Sequence, residues 1–104
     1  MNAVTITKSN FEDEVMNSSK PVLLDFWAKW CLPCLMASPI IEEIAGEEEG
    51  VKVGKVNVDE EPELVEAFKI MAMPTFLLLK DGEVISSVTG IKPKAVLLDM
   101  INVY

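Results

Sequence analysis

Seven consecutive residues, Val22-Leu23-Leu24-Asp25-Phe26-Trp27-Ala28, carry a single ionisable side chain, that of Asp25. The run is too short for a buried helix and too uniformly apolar for a half-exposed strand. It reads as a β-strand covered on both faces. Such a strand requires helices packed above the sheet and below it. The remaining segments have to supply those layers, and 104 residues leave room for one domain spanning 1–104. Half of the residues are apolar, enough for one core without a covalent staple.

Local patterns fill in the layers. Ala3 to Thr7 alternates and is β-branched, which predicts a short strand. Ser9-Asn10-Phe11-Glu12 fits a capping box, predicting a helix to about Met16. Leu35, Met36, Ile40, Ile41, Ile44 and Ala45 recur at helical spacing, opposite Glu42, Glu43 and Glu47. That helix starts after Cys31, contains Pro39 as an expected kink, and is expected to end at Gly50.

Val51 to Val58 predicts a second central strand, and Pro62 to Phe68 a short helix. Thr75 to Leu79 and Val84 to Val88 form a hairpin about Asp81-Gly82. Pro93 opens a last helix expected to bury Ala95, Val96, Leu97, Met100 and Ile101. The order β-α-β-α-β-α-β-β-α predicts an α/β fold: a mixed sheet with helices on both faces. Its early strands are parallel with right-handed crossovers.

Charge narrows the function. The net charge is −8, from nine Lys and no Arg against 17 acids. Residues 42–66 hold ten of those acids against Lys52 and Lys55. Nucleic acid demands a basic footprint and is disfavoured; the acidic stretch reads as a solvated face. No stretch is apolar enough to span a membrane. Met1 to Lys8 lacks the basic start and apolar run of a secretory leader. A cytoplasmic monomer is expected. The chain has no His, which removes the usual general base near neutral pH.

The only two cysteines lie in Trp30-Cys31-Leu32-Pro33-Cys34, after a strand and at the mouth of a helix. Unpaired N–H groups and partial positive charge at a helix N-terminus favour thiolate over thiol. Thiolate is the nucleophile in disulfide exchange. Cys31 is therefore expected to attack a substrate disulfide and Cys34 to resolve the mixed disulfide. This spacing beside a βαβ pattern is a recognised redox signature. Inert packing, a structural disulfide and a metal site shared with a second chain are the competing readings. Asp25 is expected to be buried with a raised pKa, able to exchange a proton with Cys34 in place of the missing His.

The segment Asp25-Phe26-Trp27-Ala28-Lys29-Trp30-Cys31-Leu32-Pro33-Cys34 resembles the thioredoxin active site. Pro39, Lys55-Val56-Asn57-Val58-Asp59, Met73-Pro74-Thr75-Phe76, Lys80-Asp81-Gly82 and Gly90 match later landmarks of the family in order. The resemblance covers essentially the whole chain. It implies the thioredoxin fold, with a reversible Cys31–Cys34 disulfide as the redox group and no separate cofactor or metal. It further implies protein disulfides as substrates and a thioredoxin reductase-type electron donor.

At the residue level the resemblance makes Lys55 the cation beside Asp25. It makes Pro74 a cis-proline facing the cysteines, with the Met73 backbone free to pair with an extended substrate. Gly90 would let that backbone approach. Trp30, Pro33, Met73, Pro74 and Ile91 would form an apolar platform around Cys31, and Trp27 would belong to the core.

Two positions depart from the family. Leu32 stands where Gly is usual, and Leu35 where a basic residue is usual. Leu continues a helix better than Gly by somewhat under 1 kcal/mol, and losing a cation removes one source of thiolate stabilisation. Leu32 is therefore expected to tune the redox poise of the pair and its fit to a standard reductase. A specialised dithiol of unusual potential is the first alternative reading. A binding module with idle or metal-holding cysteines is the second.

Overall fold

The computed structural model describes residues 2–103. Five strands form one sheet in the order β1-β3-β2-β4-β5. They are β1 (Val4–Thr5), β2 (Val22–Trp27), β3 (Lys52–Asn57), β4 (Thr75–Lys80) and β5 (Glu83–Thr89). β1, β3 and β2 are mutually parallel; β4 and β5 add on antiparallel. Three α-helices, α1 (Leu32–Glu47), α2 (Pro62–Ala67) and α3 (Lys94–Asn102), accompany it, with one π-helical turn at Glu12–Met16.

Alternation along β2 and β4 sorts the core into two layers. Leu23, Phe76 and Leu78 pack with Ile41 and Ile44 of α1 and Leu97, Met100 and Ile101 of α3. Leu24, Phe26, Leu77 and Leu79 pack on the other face with Val15 and with Leu64 of α2. The uninterrupted apolar run of β2 is explained by this double cover. Each fully buried Leu or Phe contributes about 1.5–3 kcal/mol relative to exposure. Asp25 shares the parity of Leu23, so it faces the α1 layer.

Gly54 is the close-approach point of β3. A Cβ there would lie 2.6 Å from Ile6 Cγ1 and 3.0 Å from Leu24 Cδ2. The hairpin turns at Asp81 and Gly82, which both have positive φ, as its two-residue length requires. A bulge follows: Leu78 pairs with Ser86 but Leu79 with Val84. The extra residue lets Ile85 and Val88, three positions apart, both pack on the α1–α3 core.

Three local expectations are corrected. Ser9 does not cap the first helical turn. Instead the Asn10 side chain accepts from Thr7 N–H at 2.7 Å, and Thr7 Oγ1 accepts from Asn10 N–H at 3.3 Å. The reciprocal pair thus sits two residues earlier than the capping-box pattern indicated. α1 ends at Glu47 with Glu48 as its extended cap, before Gly50; three consecutive glutamates oppose the dipole there. In α3, Ala95 and Val96 are exposed, and burial is confined to Leu97, Met100 and Ile101. Lys94 ties α3 to α1 through Glu43 and Glu47.

Candidate active site

β2 ends at Trp27, and α1 begins at Leu32 with Cys31 as its N-cap. Pro33 sits in the first turn, where its missing N–H costs nothing. Cys31 and Cys34 are joined as a disulfide, with Cα atoms 5.3 Å apart. The Cys34 N–H points at Cys31 Sγ, 3.3 Å away. A helix-terminal N–H aimed at a sulfur stabilises negative charge on it. Cys31 is 6% exposed and Cys34 2%, so Cys31 is the more accessible residue of the pair.

The opposite wall comes from the segment before β4. The Met73–Pro74 bond is cis, and Met73 O lies 3.7 Å from Cys31 Sγ. Pro74 O accepts from Gly90 N–H at 2.8 Å. Gly90 has φ +89°, and nothing lies within 4 Å of where its Cβ would stand. The surface above it is open to an incoming chain.

Trp30, Pro33 and Ile91 are exposed, and Met73 is half-buried against the cysteines. Pro74, by contrast, is buried and is not part of the outer surface. Leu32 is 66% exposed beside the reactive sulfur, and Leu35 and Met36 extend the apolar surface along α1. The Trp30 indole donates to Asp59 Oδ2 at 2.8 Å.

On β2, Asp25 is 1% exposed and its Oδ1 has no hydrogen-bond partner. Burial pushes its pKa from 3.8 up to about 7; nearby Lys55 pulls it down in part, and Glu42 adds to the rise. Asp25 and Lys55 are register partners on parallel strands. Lys55 Nζ is 3.3 Å from Ser38 Oγ, 3.8 Å from Glu42 Oε2 and 5.0 Å from the Trp27 ring centroid. Trp27 is thus half-buried support for the site as well as core. A pocket of about 350 Å³, lined by Trp27, Lys29, Glu42, Lys55, Asn57 and Glu60, opens there to solvent.

The structure places Met73 against the Cys31–Cys34 pair, ties Gly90 to Pro74 and sets Asp25 beside Lys55; Ser38, Glu42 and Asp59 are partners the sequence reading did not single out. Ser38 lies four residues after Cys34, and Glu42 four after Ser38, so one helical face carries all three. Asp59 lies just past the end of β3, where the carboxyl ends of parallel strands gather loops into one crevice. No group of three or more His, Cys, Asp or Glu suited to a metal occurs among the described residues.

Comparisons with known proteins agree with this geometry. The thioredoxin family model matches residues 2–103. A thioredoxin of Pyropia yezoensis is 42% identical over 105 residues, covering 100% of this chain and 98% of its own. A thioredoxin of Rickettsia felis is 48% identical over 101 residues, covering 96% of each chain. A solved mutant thioredoxin from Halobacterium salinarum superposes with a TM-score of 0.91 at 33% identity, covering 99% of this chain and 90% of that one. A helix-capping cysteine pair, in a fold and a sequence shared end to end with these proteins, places the chain in the thioredoxin family of protein-disulfide oxidoreductases, with Cys31–Cys34 as its redox-active pair.

Proposed function

We propose that the reduced chain donates two electrons to disulfides of other proteins, Cys31 acting as nucleophile and Cys34 as resolving thiol. The observation that carries the assignment is the Cys34 N–H directed at Cys31 Sγ at the helix mouth. The Cys31 thiolate attacks one sulfur of the substrate disulfide. That bond breaks, a Cys31–substrate disulfide forms, and one substrate thiolate leaves. Cys34 then loses its proton and attacks Cys31 Sγ, which closes the internal disulfide and frees the second substrate thiolate. The substrate gains two electrons and two protons; the Cys31–Cys34 pair loses them.

Asp25 takes the Cys34 proton in this scheme. Its pKa of about 7 suits that transfer at neutral pH, and Lys55 limits how far burial can raise it. An extended substrate segment pairs with the Met73 backbone over Gly90, against Trp30, Pro33 and Ile91, with Pro74 fixing the Met73 turn from below. Leu32 sets the poise of the pair through the first helical turn.

A separate reductase of the thioredoxin reductase class returns the electrons. The disulfide itself serves as the redox group, without a bound cofactor or metal. No helix among the described residues is long and apolar enough to cross a membrane. A single-domain cytoplasmic monomer fits the use of both cysteines for cycling rather than stapling.

Equilibration against a graded dithiol/disulfide buffer tests the assignment, followed by Trp27 and Trp30 fluorescence and by thiol trapping. A strongly reducing potential, with a trapped mixed disulfide on Cys34→Ser, is the expected result. A markedly oxidising potential would reassign the chain to disulfide formation or isomerisation.

A further inference from the structure

Asp25 and Lys55 stand side by side in register on the same face of the sheet, which puts an ion pair within reach of the Lys side chain. They form none. Lys55 Nζ turns to α1, donating to Ser38 Oγ and facing the Glu42 carboxylate, and Asp25 Oδ1 is left without a hydrogen bond. We propose that Glu42 is a positioning residue of the redox site: helped by the Ser38 hydroxyl, it draws Lys55 outward and leaves the Asp25 carboxyl unpaired, so that it can carry a proton.

The physical reason is competition for one cation. Glu42 is half-exposed, with 47% of its side chain open to water, so its carboxylate keeps much of its hydration. Asp25 must be desolvated to be ionised. A Lys able to reach either one is drawn to the hydrated carboxylate, whose charge carries no burial cost. α1 places Ser38 and Glu42 one turn apart, so together they fix the Lys55 ammonium at the pocket mouth.

The charged groups near Asp25 and Lys55 come from several elements. Lys55 comes from β3 and Glu42 from α1, whose Cys34 is held in the disulfide and carries no charge. Lys29, beyond β2, and Glu60, beyond β3, line the same pocket. Ala3 and Thr5, on the β1 side, carry no charge, and neither does Phe76, the register partner on β4. Glu42 is the only one of these carboxylates that faces Lys55 within ion-pair distance.

Glu42→Gln removes the competitor. Lys55 then turns toward Asp25, and a like charge disappears as well; both changes favour ionised Asp25. The inference rests on the proton-carrying role given to Asp25 above, but its test does not. The Asp25 carboxyl is titrated by carbon-detected NMR in the oxidised protein, where neither cysteine titrates. Glu42→Gln is expected to move the midpoint toward acid by about half to one pH unit. In a Lys55→Met background the same substitution is expected to move it much less, because the competition has lost its object.

An unmoved midpoint, or an equal shift with and without Lys55, overturns the positioning role. Failure of Asp25 as proton carrier appears elsewhere, as unchanged exchange kinetics in Asp25→Asn.

Discussion

The Trp30 indole and Asp59 are joined across the mouth of the site: Nε1–H donates to Oδ2 at 2.8 Å. Trp30 is otherwise 67% exposed. One hydrogen bond between the β2–α1 loop and the segment after β3 therefore holds the largest side chain of the platform. Without it the ring gains rotamer freedom that a protein substrate must remove on binding. Asp59→Ala is expected to lower kcat/KM for a protein disulfide by about 2–10-fold, the worth of one partly exposed charge-assisted bond. A small disulfide, which does not span the platform, should react at nearly the parent rate. Equal losses with both substrates would assign Asp59 to the chemistry of the sulfurs instead.

Asp25 makes stability depend on pH. Unfolded, its carboxyl ionises near the ordinary 3.8; folded, near about 7. The fold holds the proton more tightly, so this contribution is full below about pH 4 and declines as pH rises toward 7. Asp25→Asn removes the dependence. At about pH 8 the variant is expected to be more stable by up to about 4 kcal/mol, and the gain should shrink steadily toward acid. Urea unfolding of the oxidised proteins across that range measures it. The same variant should slow disulfide exchange above neutral pH in stopped flow, since Asn accepts no proton.

Gly54→Ala tests the packing of β3 between β1 and β2. The new methyl meets Ile6 Cγ1 and Leu24 Cδ2 at 2.6 and 3.0 Å, and both neighbours are fully enclosed. A loss of about 1–3 kcal/mol is expected, the usual cost of overpacking. The midpoint of urea unfolding should fall with little change in slope.

Leu32→Gly restores the residue usual in the family at the first helical position. The helix loses about 0.5–1 kcal/mol of propensity there. The exposed apolar side chain beside Cys31 goes with it. Turnover by a thioredoxin reductase is expected to rise several-fold, with a measurable change in the equilibrium of the Cys31–Cys34 pair. About 30 mV accompanies each tenfold change in that constant. Reductase turnover equal to the parent's would show that Leu32 does not govern that contact.

Much of the molecule is legible in its sequence. The apolar run of β2, the helical spacing of Leu35 to Ala45 and the Asp81-Gly82 turn each follow from local stereochemistry and the period of burial. So does the placing of Cys31 at a helix mouth. Even the burial of Asp25 was readable, because a central strand leaves a side chain no exposed face.

Other features needed the chain to be folded. The Thr7–Asn10 pair rather than Ser9 makes the first cap, since capping depends on where the chain bends and not only on which residues could bond. The bulge at Ile85 comes from bringing both Ile85 and Val88 of β5 onto the α1–α3 core. Ser38, Glu42 and Asp59 acquire meaning from contacts with residues 17, 13 and 29 positions away. Sequence decides which side chains a helix or strand shows to one side. Only tertiary packing decides which two charged groups meet there, and so why Lys55 faces Glu42 while Asp25 Oδ1 has no hydrogen bond.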